Sequence, residues 1–209
     1  MLSNDVSEPD LLSLKELRTI CGWALVIAPS LLLFSTVAYW LAGGLNDGEA
    51  GGAIQVYAYA AFVFAMIGLA QRVPGPSRLR SALLLGGVVG SVGGACFGVV
   101  SVNAALTGFH LEDSAAAAVS LSLVLPGLIF PLSVVGFGVL LARSRAEPRW
   151  NGPLLIAAGV LFPASRISDL EPLALLADLI MLAALTPLGL DLLRAGTRSN
   201  DPEPVVVSS

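Results

Sequence analysis

The sequence predicts an all-α integral membrane protein: a bundle of six transmembrane helices, both termini cytoplasmic, with a short interfacial helix at the N-terminus. Three observations carry that reading. Of 209 residues, 56% are apolar and only 12% are charged, half the charged share of a typical soluble domain, about 25%. Mean hydropathy is +0.83. The apolar residues fall in runs long enough to cross a bilayer, and the basic residues gather on one side of them. A soluble enzyme, a nucleic-acid-binding protein and a secreted disulfide scaffold are all excluded by this composition.

A span requires about 20 mainly apolar residues, with a range of about 17–25. Five segments meet this directly, at about 20–42, 54–71, 81–107, 115–142 and 173–193. A sixth, 152–167, is short and carries Pro163, which leaves room for a bent or partly unwound end. The fourth has Pro126 and Pro131 as places to bend, since proline removes a helical hydrogen bond and clashes with the preceding turn. The domain plan is therefore a cytoplasmic segment 1–19, a six-helix domain 20–194 and a cytoplasmic tail 195–209. The tail, with Gly, Ser, Asn, Pro and Glu, is expected to be disordered.

Charge placement sets the orientation. With the N-terminus inside, the inner side receives Lys15, Arg18, Arg72, Arg78, Arg80, Arg143, Arg145, Arg149, Arg194 and Arg198. The outer side receives Arg166 alone, beside Asp47, Glu49, Glu112, Asp113, Asp169 and Glu171. That is the positive-inside pattern, and it places the protein in the cell (cytoplasmic) membrane. Arg outnumbers Lys ten to one, which suggests a GC-rich bacterial genome. Trp23 and Trp150 fall at the inner interface and Tyr39, Trp40, Tyr57 and Tyr59 at the outer, where amphipathic rings settle.

The first ten residues carry Asp5, Glu8 and Asp10 and no base, unlike the positive start of a cleavable signal. The first run is expected to be a retained anchor. Before it, Leu11, Leu14, Leu17 and Ile20 share one helical face, and Ser13 with Glu16 fits a capping box. This is the interfacial helix.

Metal and cofactor chemistry find few ligands. The chain has two cysteines, Cys21 and Cys96, and one histidine, His110. Zinc takes about four Cys, His or carboxylate ligands, and His110 cannot supply a pair of axial ligands to haem. No metal and no cofactor is expected. The two cysteines sit at opposite depths of different spans, too far apart for a disulfide, and read as packing residues.

Two features could carry function. In the third span Gly86, Gly90, Gly94 and Gly98 recur every four residues, beside a second small stripe of Gly87, Ser91 and Ala95. Such spacing lets another helix backbone approach closely, either inside the bundle or across a seam to a second copy or a membrane partner. The other feature is Asp178, an acid inside the sixth span. A carboxylate there costs a few kcal/mol unless it faces water or a partner. Arg166, the one outer base, ends the fifth span at a matching depth. Ser101, Asn103 and His110 lie toward the same end, giving a candidate polar site of Asp178, Arg166, Asn103, Ser101 and His110.

Nothing resembles a catalytic elbow, although Ser120 or Ser122 near His110 is geometrically allowed. The leading functional reading is a non-catalytic packing or assembly protein, or a subunit of a membrane complex, that uses the third helix. The alternative is a small carrier or ion pathway with an outward-facing polar site around Asp178. A third is an intramembrane enzyme using Ser120, Ser122, His110 or Asp178. The lipid bilayer is the expected surrounding in all three, and no nucleic-acid partner is expected.

Overall fold

A computed structural model describes residues 13–45, 48–108, 125–144 and 148–198. They form six helices and no strands: α1 (Leu14–Ala42), α2 (Glu49–Arg72), α3 (Ser77–Thr107), α4 (Leu125–Ser144), α5 (Asn151–Ile167) and α6 (Glu171–Arg198). Of these, α1, α2, α3, α4 and α6 are long and apolar enough to cross a membrane. With 17 residues, α5 is roughly 26 Å long, slightly short of the ~30 Å hydrocarbon core.

The helices overrun the predicted spans because hydropathy marks only the apolar part, whereas a helix continues until a cap or turn ends it. Ser13 caps α1, with its side chain accepting from the Glu16 amide and the Glu16 carboxylate accepting from the Ser13 amide. The expected interfacial helix is thus not a separate element. No glycine or proline lies between Leu14 and Cys21 to break it, and it forms the first turns of α1. Gly43 (φ 109°) and Gly108 (φ 68°) end α1 and α3 in the left-handed region, which glycine enters without a Cβ clash. At the other terminus α6 continues through Arg198, so 195–198 are helical and not part of a disordered tail. A single glycine in a helix costs only about 1 kcal/mol. Residues 115–124 of the predicted fourth span lie outside the described residues.

Each helix packs against its neighbours in sequence, and α6 closes the ring on α1, with α2 touching α6 across the middle. Neighbours run antiparallel. Close approaches pair Gly22 with Leu193, Gly68 with Cys21, Gly52 with Gly98, Gly86 with Ser133 and Gly138 with Gly152. Six antiparallel passes bring the start of α1 and the end of α6 to one end of the bundle. The interior is filled by Leu25, Leu32, Phe62, Met66, Leu69, Phe130, Phe137, Leu155 and Met181, all buried. Phe62, Tyr59 and Phe162 each meet Phe130 edge-on, at 4.9, 5.2 and 6.1 Å between ring centres.

The stripe on α3 divides between two neighbours. Four residues turn a helix by about 400°, so each step drifts by about 40°. Gly86 and Gly90 face Ser133 and Phe130 of α4, while Gly94 and Gly98 face Tyr59 and Gly52 of α2. A Cβ on Gly52 or Gly98 would stand 2.6 Å from the other's carbonyl oxygen. What α3 turns outward is Leu85, Val89, Val92, Cys96 and Val99. Cys96 is therefore exposed, not a packing residue, while Cys21 is buried.

Two aromatic expectations also change. Trp23, Trp40, Tyr57 and Trp150 lie on the exterior, but Tyr39 and Tyr59 are buried. Their rings fill the room left by Gly51 and Gly94.

Crowding at these contacts yields a test. Gly90→Leu or Gly52→Leu should lower thermal stability in detergent by at least the ~1–3 kcal/mol usual for overpacking. Val92→Leu, on the exterior, should stay within about 0.5 kcal/mol of the parent. Melting curves followed by intrinsic fluorescence would separate them.

Candidate functional site

The half of the bundle that holds the α1–α2 and α5–α6 turns contains the buried Ser35, Thr36, Ser101, Ser165 and Asp178. Asp178 stands seven residues into α6, roughly 10 Å along the helix, and is 1% exposed. Opposite it on α1 is Thr36, fully buried. The Thr36 hydroxyl donates to Asp178 Oδ2 at 2.5 Å and accepts from Arg166 Nη2 at 2.7 Å. Arg166 Nη2 lies 3.8 Å from the same Asp178 oxygen. Three helices are thus tied by one hydroxyl between a cation and an anion.

The pair is close but not bidentate. Arg166 Nε and Asp178 Oδ1 are both buried and make no hydrogen bond with any described residue. At 3.8 Å the two charges attract by ~4 kcal/mol at an effective dielectric constant of ~20. That attraction opposes the desolvation of two ions, and the Thr36 hydroxyl supplies the hydrogen bonds that make the burial tolerable. The guanidinium also rests over the Phe162 ring, 5.3 Å from its centre, a favourable cation–π contact.

Arg166 reaches a cavity of about 250 Å3 between α2, α3, α4 and α5. Its walls include Gln55, Tyr59, Phe97, Leu128, Pro131 and Phe162, and among the described residues Arg166 is the one charged residue of its lining. Gln55 Nε2 donates to the Gly94 carbonyl at 3.0 Å, which leaves the amide oxygen as an acceptor. Pro131 and Pro163 also line the space. Each lacks the N–H that would meet the carbonyl four residues earlier, so the Gly127 carbonyl at the wall has lost its helical donor. Helical backbone nevertheless continues past Pro163 to Ile167, and the partly unwound end expected there is not found.

The sequence-predicted site residues are distributed unevenly. Arg166 and Asp178 come together, with Thr36 between them. Ser101 is buried and donates to the Phe97 carbonyl of its own helix at 3.1 Å. Asn103 faces outward on α3 and takes no part. His110, Ser120 and Ser122 lie outside the described residues. Asp178 itself is sealed behind Arg166 and does not line the cavity.

Thr36, Gln55 and Tyr59 were not legible as site residues. Hydroxyls in apolar helices commonly bond their own backbone, as Ser30, Ser91 and Ser133 do here, and nothing in the local sequence sets Thr36 apart. A second ion pair, Arg72 to Asp191 at 3.0 Å, joins α2 to α6 at the opposite end. Its side chains are about one-third exposed, so its contribution is at most about 1 kcal/mol.

A scan against protein-family models, a search of curated proteins and a search of solved structures each return no match.

The buried pair predicts non-additive stability. Asp178→Asn should cost about 3–5 kcal/mol, because it leaves Arg166 as an uncompensated buried cation. Arg166→Met combined with Asp178→Leu should recover most of that loss. Unfolding of the single and double variants in mixed detergent, analysed as a double-mutant cycle, reads the coupling directly.

Proposed function

We propose that the protein is a small carrier in the cell membrane, N- and C-termini cytoplasmic, whose solute site is the Arg166 cavity in the outer half of the bundle. The observation that carries this reading is a buried Thr36–Arg166–Asp178 cluster whose cation opens onto a cavity while its anion is sealed behind it. Charged groups at membrane depth are costly and mark solute or ion pathways more often than plain packing. A purely structural pair would be better served by bidentate contact, and this one leaves a donor and an acceptor unused.

The assembly reading draws less support. The glycines that suggested a seam on α3 meet α2 and α4 of the same chain, and the outward face of α3 carries larger residues. The carrier reading also changes the assignment of roles. Arg166 becomes the group that meets the solute, and Asp178 the group that holds and balances it. A cavity of about 250 Å3 falls just below the usual ~300–1,000 Å3 range of ligand pockets, which suits a small solute.

Orientation follows from the basic residues. Lys15, Arg18, Arg72, Arg78, Arg80, Arg143, Arg149 and Arg194 share the end that holds the start of α1 and the end of α6, and Arg166 stands at the other. Positive charge stays on the cytoplasmic side. In a bacterial host a C-terminal fluorescent-protein fusion should therefore glow, and a C-terminal alkaline phosphatase fusion should be inactive. The reverse pattern would invert the bundle and turn the cavity inward.

Water access tests the carrier reading itself. In a Cys21→Ala, Cys96→Ala background, Phe97→Cys on the cavity wall should react with a membrane-impermeant maleimide added outside sealed cells. Val99→Cys, on the exterior of α3 at similar depth, should not. A folded Phe97→Cys protein that resists labelling would make the cavity dry and return the protein to the assembly reading.

A further inference from the structure

We infer that the ligand of the Arg166 cavity is a small organic carboxylate with an apolar body, and that a proton moves onto Asp178 as the carboxylate meets Arg166. The inference rests on the carrier reading above and names its solute class and its coupling.

The walls specify the class. Among the described residues Arg166 is the cavity's one charged lining residue, and a guanidinium presents planar donors that match a carboxylate. Around it stand Phe97, Leu128, Pro131, Phe162 and the ring of Tyr59, apolar or aromatic surfaces that suit a hydrocarbon body, with Gln55 the one further polar side chain besides the Tyr59 hydroxyl among the described lining residues. A pocket that is mostly apolar with one well-placed polar group is the usual form of a small-molecule site.

Charge balance specifies the proton. Arg166 and Asp178 are together neutral. An added anion would leave one uncompensated negative charge among buried apolar side chains, which is strongly unfavourable. One of the groups present must take up a proton. Arg166 already holds its full complement, and so do the hydroxyls of Tyr39 on α1 and Tyr59 on α2, which lie within electrostatic range of Arg166. From α5 Asp178 is faced by Arg166 and from α1 by the Thr36 hydroxyl, and Tyr59 on α2 lies within electrostatic range of it. Its neighbours along α6, Ala174, Ala177 and Met181, carry no charge. Among the described residues Asp178 is the one member of the cluster able to accept.

The geometry provides the atom. Asp178 Oδ2 takes the Thr36 hydrogen bond, while Oδ1 has no partner among the described residues. Arg166 is held 3.8 Å away with Thr36 between, so its guanidinium is not locked onto Asp178. One proton and one carboxylate enter from solution. The carboxylate pairs with Arg166, Asp178 becomes a neutral acid still accepting from Thr36, and the net charge of the site is unchanged.

Benzoate is a suitable probe and benzamide its uncharged control. Calorimetry on the purified full chain in detergent, in two buffers of different ionisation enthalpy, should show benzoate binding with close to one proton taken up at neutral pH. Affinity should fall by about tenfold for each unit of rising pH while Asp178 starts ionised. Benzamide should not bind. Asp178→Asn should bind benzoate with no proton uptake and no such pH dependence. The proton count is read on the unsubstituted chain, so it decides the matter even where D178N does not fold. Benzoate binding without proton uptake would overturn the coupling. No benzoate binding by a chain whose Phe97→Cys variant is labelled from outside would overturn the solute class and leave the carrier reading standing. A dry cavity would remove that reading first.

Discussion

Apolar side chains gain nothing by leaving lipid for one another, so a bundle of apolar helices holds together through close backbone approach. That constraint organises this chain. Gly22 with Gly189, Gly52 with Gly98 and Gly138 with Gly152 bring backbone against backbone at three of the ring's interfaces. Dispersion falls steeply with distance, so a single added Cβ at such a point would undo contacts along a whole helix face. The ring order follows from the same constraint, because the short α1–α2, α2–α3, α4–α5 and α5–α6 connections make those neighbours antiparallel and glycine lets them close on each other.

The polar cluster depends on that closeness. Thr36, Arg166 and Asp178 come from α1, α5 and α6, and a hydroxyl can bridge the two charges only where these helices converge. The ring also leaves a gap. Where α3 and α4 pass Tyr59 and Phe162, glycine and proline at the wall leave space that the side chains of the described residues do not fill, and the Arg166 guanidinium closes one side of it. The cavity and the ion pair are therefore one feature, with the cation facing both.

The apolar part of each described helix and the capping box at Ser13 are legible in the sequence, because they depend on local composition and on hydrogen bonding within a few residues. The partnership of Arg166 with Asp178 is legible too, since two charges at matching depth have few other options. Thr36, Gln55 and Tyr59 are not. A threonine in an apolar span reads like any other, and its role exists only because α5 and α6 meet α1 at that level. Asn103 shows the opposite error: it lies near the right depth but on the wrong face of α3.

The α3 stripe marks the boundary between the two kinds of knowledge. From sequence alone came the all-helical apolar architecture, the gathering of the basic residues at one end of the helices, and the requirement that something approach α3 closely. Those are properties of the chain and its solvent. Which neighbour meets each glycine, whether Tyr59 anchors at an interface or packs inside, and whether Asp178 opens to a cavity or sits behind an arginine were settled by tertiary structure. The reason is geometric: a 3.6-residue helix drifts by about 40° over every four residues, so the direction a side chain faces has meaning only once the neighbouring helices are in place.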